Sequence, residues 1–163
     1  MAESNIDLWP PDIVVDVLSP QMILNEQAEA LAKRTQGILR GEVLPGVAET
    51  FAQLNFDIVA PAVGLRQRLL SARYSYERPY PVVLIADPFV RHLGIARESA
   101  DYAEPKQWKL SSEREESQAR LASTPNDVRD LLKLLFHAAT TKAALLSLIA
   151  RSNEVTGTAR TSS

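Results

Sequence analysis

Leu54-Asn55-Phe56-Asp57-Ile58-Val59-Ala60 decides the fold class. Leu54, Phe56, Ile58 and Ala60 alternate with Asn55, Asp57 and Val59, the period-two pattern of a half-buried strand. Pro61-Ala62-Val63-Gly64 follows as a turn. Residues 65–76 carry Leu70, Ala72, Tyr74 and Tyr76 on one face of a second strand. Glu77-Arg78-Pro79 turns the chain again into Tyr80 to Ala86, whose Val82-Val83-Leu84-Ile85 run is that of a strand buried on both faces. Connections this short predict an antiparallel meander, and Gln118 to Ala122 reads as a last strand.

Helices flank this block on both sides. Ser19-Pro20 places a hydroxyl N-cap before a proline at the first helical position. Leu24, Ala28, Leu31 and Ile38 share a face at helical spacing, and the spacing predicts a long helix from Pro20 to near Leu44. Gly37 and Gly41 would each weaken its last turns by roughly 1 kcal/mol relative to alanine; they read as a fraying end in preference to a close approach. Thr124-Pro125-Asn126-Asp127 is a second helix start. Leu131, Leu132 and Leu135 form one apolar stripe and Leu145, Leu148 and Ile149 another. The Thr140-Thr141 pair between them suggests a break at which two helices fold back as a hairpin. The reading is one α+β domain: four or five mostly antiparallel strands covered by a long N-terminal helix and a C-terminal helix pair.

Its bounds are residues 13–151, with an extended arm over 1–12 and a Ser/Thr-rich tail over 152–163 expected to be disordered. Trp9-Pro10-Pro11 forbids helix in the arm, and the β-branched run Ile13 to Leu18 suggests a short strand. Residues 87–112, punctuated by Asp87-Pro88, Gly94 and Glu104-Pro105, take no assignment.

The 163 residues suit one domain, and 45% hydrophobic with 23% charged residues supplies one core. The absence of cysteine removes disulfides, thiolate metal sites and cysteine nucleophiles. An acidic start without a signal-type apolar run, and no stretch of ~18 uninterrupted apolar residues, point to a cytoplasmic chain without a membrane role. A formal charge of −2 argues against DNA binding driven by global charge.

The motifs of nucleotide, zinc-protease and serine-hydrolase chemistry are missing, so no catalytic residue, metal or cofactor is assigned. His137 reads as a hydrogen-bonded histidine of a leucine-rich helix. His92 near Asp87 has the makings of an oriented base, the least favoured of three readings, a hydrolase without an identified nucleophile. Asp12 and Asp16 lie about 13 Å apart on an extended segment, too far to share a cation. Glu42 and Asp57 are further carboxylates that could meet across elements.

The densest chemical cluster is Arg66, Arg68, Arg73, Tyr74, Tyr76 and Arg78, closing on Tyr80. Four arginines against Glu77 give it a charge of +3. Arginine forks match phosphates and tyrosines stack on bases, so binding of nucleic acid or nucleotide phosphate is the alternative function. Strict alternation, however, puts Arg66 and Arg68 with Tyr74 and Tyr76 and turns Arg73 away. A tyrosine-bearing strand over the core explains the same letters and is preferred. The leading expectation is a non-catalytic interaction or accessory protein, acting on a protein partner or as a homo-oligomer. Leu134, Phe136 and Leu146 carry it, because they fall outside the two stripes on helices that are then apolar on several sides.

Overall fold

The computed structural model describes residues 6–13, 17–46, 49–86 and 119–161. Helix α1 (Pro20–Arg34) leads into five strands, β1 (Arg40–Pro45), β2 (Ala52–Ala60), β3 (Leu65–Tyr74), β4 (Val82–Ala86) and β5 (Ala119–Ala122). Helices α2 (Pro125–His137) and α3 (Ala139–Thr161) follow. Neighbouring strands pair antiparallel in the order β1-β2-β3-β4-β5. The α+β class and the meander expected from the alternation are therefore present.

The first helix ends ten residues sooner than its spacing predicted. Gln36 (φ 52°) and Gly37 (φ 80°) turn left-handed, and the Gly37 and Gln36 N–H groups donate to the Ala32 and Lys33 carbonyls. That pair of bonds satisfies the last helical carbonyls in a Schellman motif. The Thr35 hydroxyl donates to the Leu31 carbonyl and accepts from the Leu39 N–H at 3.1 Å, so the chain leaves the helix and enters β1 at once. Ser19 caps the start, its Oγ accepting from the Met22 N–H.

Gly41 is no frayed helix turn. It lies in β1 opposite Ile58, on the face that α1 covers. A Cβ there would fall 2.6 Å from the Ala28 Cα and 3.0 Å from the Phe56 ring, so only glycine lets helix and strand approach this closely.

One face of the sheet carries the core. Leu54, Phe56 and Ile58, Leu70 and Ala72, and Val82 and Leu84 meet Ile23 and Leu24 of α1, Val128, Leu132 and Leu135 of α2 and Leu148 of α3. Burying each large side chain contributes about 1.5–3 kcal/mol relative to exposure. Leu131, Leu145 and Ile149 pack on this cluster from its margin. The Thr124 hydroxyl and the Asp127 carboxylate form a complete capping box at the start of α2.

The C-terminal helices do not fold back as a hairpin. Ala138 takes an extended conformation (φ −67°, ψ 142°) and α3 departs at 63°, crossing β2 and the 3-10 turn Pro61–Val63. The break thus precedes Thr140-Thr141, which lie in the first turn of α3. The stretch from Ser152, expected as a disordered tail, continues α3 to Thr161. Ser152 is buried and its Oγ donates to the Leu148 carbonyl at 2.8 Å. Among the described residues no single helix is long and apolar enough to cross a membrane; α2 and α3 pass only as a bent pair.

Residues 6–12 form neither helix nor strand, and neither do Ile13, Val17 and Leu18. Residues 14–16 of the expected strand, and all of 87–112, lie outside the described residues. The arm joins the body where the Tyr80 phenol donates to the Leu18 carbonyl at 2.8 Å. Burial pushes that phenol up, with Arg129 opposing, so it keeps its proton and its donor role at neutral pH.

Gly41→Val should destabilise the fold by about 1–3 kcal/mol, the usual cost of overpacking, although valine is the better strand former. The check is the urea midpoint at constant m-value; an unchanged midpoint would show that α1 can lift off β1 freely.

Candidate functional site

Two constellations lie on opposite faces of the sheet, and one irregularity in β3 shapes both. Phe56 pairs with Leu70 and Asp57 with Arg68, so Leu69 is an extra residue without a partner. Such a bulge reverses the alternation of the strand. Leu69 and Leu70 are both buried in the core. Arg66 and Arg68 before the bulge come onto the same face as Ser71 and Arg73 after it.

This corrects the face assignment read from strict alternation. Arg66, Arg68 and Arg73 stand together on the polar face, and Tyr74 packs against the core on the other. Tyr76 and Arg78 sit in the turn beyond β3, both exposed.

On the polar face a ladder of side chains crosses β1, β2 and β3. Asp57, with 3% of its side chain exposed, accepts from Arg68 Nε at 3.0 Å and from Arg66 at 3.3 Å. Arg66 also pairs with Glu42, which stands opposite Asp57 across β1 and β2. Glu42 and Asp57 thus do meet, with an arginine between them. The hydrogen bond to Glu42, and then that to Asp57, pushes the Arg66 guanidinium above its already high range. Asn55 Oδ1 accepts from the Ser71 hydroxyl and from Gln53 Nε2, and Gln53 Oε1 accepts from Arg73 Nε at 3.2 Å. Arg73 lies 5.4 Å above the Phe51 ring. Each of these three arginines is engaged by a neighbour within the sheet.

The helix-covered face holds the second constellation. α1 covers β1 while α2 leans on β4 and β5. Because α3 turns away at Ala138, a wedge stays open between the C-terminal half of α1 and the α2–α3 corner. The result is an apolar groove of about 290 Å³. Phe56, Ile58 and Leu69 form its floor, and Leu31, Phe136 and Leu145 its walls. Gln27, Arg34 and His137 supply its polar groups. Phe136 stacks tilted on Phe56 with ring centroids 6.1 Å apart.

The groove widens past Leu145 toward Lys142, Leu146 and Ile149. A neighbouring hollow shares His137 and is lined by Asp130, Lys133 and Leu134. Leu134, Phe136 and Leu146, singled out in the sequence, therefore gather around His137. Leu134 and Leu146 remain 58% and 54% exposed. Leu31, Ile58 and Leu145 were legible only as core residues, because a gap between helices leaves no trace in periodicity, and strict alternation put Leu69 on the opposite face from Leu70. Asp87 and His92 lie outside the described residues. Among the described residues no group of three His, Asp or Glu side chains is placed to hold a metal ion.

Asp57→Ala should cost about 1.5–3 kcal/mol, the range of hydrogen bonds to charged groups, because it removes the nearly buried acceptor that Arg66 and Arg68 share. Arg66→Ala should cost far less, since its side chain is half exposed and Asp57 keeps Arg68. Urea denaturation of the two variants measures the difference; equal losses would refute the ranking. No family model, no curated protein and no solved structure matches this chain.

Proposed function

We propose that this is a non-catalytic interaction protein that works through the apolar groove between α1 and the α2–α3 corner. The observation that carries the reading is the groove itself. Leu31, Phe56, Ile58, Leu69, Phe136 and Leu145 line a concavity of about 290 Å³, with exposed Leu134 and Leu146 beside it. Apolar surface gains roughly 25 cal/mol for each Å² removed from water, and pockets for apolar ligands begin near ~300 Å³. Arg34, His137 and Gln27 at the margin suit orienting a bound segment more than transforming it.

Phosphate binding through the Arg66–Tyr80 region is the second reading. In its favour, the bulge aligns Arg66, Arg68 and Arg73 on one face. Against it, Glu42, Asp57 and Gln53 already accept from those forks, so a phosphate would have to displace partners built into the sheet. Single-stranded RNA at low salt should therefore bind the parent no better than Arg66→Ala/Arg68→Ala, as read by fluorescence anisotropy.

Ala30 is exposed on α1 and lines the groove. Ala30→Arg places a long side chain across it at little cost to the helix. An apolar fluorescent probe, anilinonaphthalene sulfonate, added to protein diluted until it sediments as a monomer, should brighten with the folded parent and do so several-fold less with Ala30→Arg at an unchanged melting temperature. Equal brightening, or none with the parent, would overturn the groove as a binding site.

A further inference from the structure

The arm that precedes α1 presents apolar side chains to water and has no place on its own body. Ile6, Leu8 and Trp9 are 71%, 87% and 77% exposed. Solvated tails are poor in such residues, and tryptophan is the residue most enriched among side chains that anchor interfaces. The arm is also preformed. The Trp9 N–H donates to Asp7 Oδ1 at 3.0 Å and the Ile13 N–H to the Pro10 carbonyl at 3.3 Å, while Pro10 and Pro11 fix two backbone φ angles. Docking it therefore costs little conformational entropy.

The arm and the groove are complementary in both shape and charge. A cavity of ~150 Å³ lined by apolar side chains takes up benzene, so about 290 Å³ has room for an indole. Residues 1–17 carry four acids, Glu3, Asp7, Asp12 and Asp16, and no lysine or arginine. Among the described residues, Arg34 and Lys142 line the groove and Lys133 the adjoining hollow, where Asp130 is the one acid. The two surfaces sit at opposite ends of α1. The Tyr80–Leu18 bond and the Ser19 cap root the arm at its start, whereas the groove begins at Gln27 and runs to Arg34, about 10–20 Å along the helix axis. In the single chain Trp9 stays in solvent, and no described residue of the arm is among the described residues that line the groove.

Resting on the groove reading, we propose that the occupant is the arm of a second copy. Trp9 of each chain inserts between Leu31, Phe136 and Leu145 of its partner, and the exchange is reciprocal. Two such contacts related by a twofold axis close the assembly at a dimer.

Sedimentation equilibrium of the full chain tests this. The parent should be a dimer, and Trp9→Ala and Ala30→Arg should each weaken it at least ten-fold. Both positions are exposed, so both variants should melt as the parent monomer does. Mixing the two variants should give a heterodimer tighter than either variant forms with itself, because the intact arm of one meets the intact groove of the other and so keeps one of the two contacts. A monomeric parent, a Trp9→Ala variant that dimerises as tightly as the parent, or a mixture that associates no more tightly than either variant alone would overturn the exchange. Anilinonaphthalene sulfonate binding by Trp9→Ala separates the two failures. If the dye still enters the groove, only the arm's role falls; if it does not, the groove reading falls with it.

Discussion

The bulge at Leu69 sets both faces of this sheet. A β-strand alternates its side chains with a period of two, and one inserted residue reverses the phase of everything beyond it. Before the bulge Arg66 and Arg68 stand over Asp57; after it Ser71 and Arg73 stand over Asn55 and Gln53. With an unbroken alternation, either the first pair or the second would have turned into the core. Burying an arginine without a partner costs several kcal/mol, so the polar ladder and the apolar face exist together only because the strand changes phase. The same residue supplies part of the groove floor.

The helical layer is fixed by a different constraint, the close approach at Gly41. Ala28 and Gly41 bring α1 down onto β1, and the Schellman turn at Gln36 and Gly37 stops the helix before it overruns that strand. α2 is placed by its capping box and by Val128, Leu132 and Leu135. The extended Ala138 then sends α3 across β2 instead of back along α2. Three helices laid at these angles cannot tile a twisted sheet completely, and the open wedge leaves a hollow above Phe56, Ile58 and Leu69.

Polarity is distributed unevenly over the resulting molecule. Arg66, Arg68 and Arg73, which drew attention in the sequence, are held within the sheet by Glu42, Asp57 and Gln53. Exposed apolar side chains include Leu134 and Leu146 near His137 and Ile6, Leu8 and Trp9 on the arm. The arm carries acids and the groove carries Arg34 and Lys142.

Strand alternation, turn residues and hydroxyl–proline helix starts are local signals, and by themselves they determined the α+β class, the segments that form β2 to β5 and the starts of α1 and α2. Leu54, Phe56 and Ile58 declared their face because each carries its polarity in its own side chain. The end of α1 was less legible, since Leu24, Ala28, Leu31 and Ile38 keep helical spacing past the point where Gly37 turns left-handed. The partners of Arg66 and Arg68 and the purpose of Gly41 needed the strand register, which no single segment encodes. The groove was illegible for the same reason. Leu31 and Leu145 read as core residues in the sequence, and only the angle at which α3 leaves Ala138 decides that they stay partly exposed as walls of the groove.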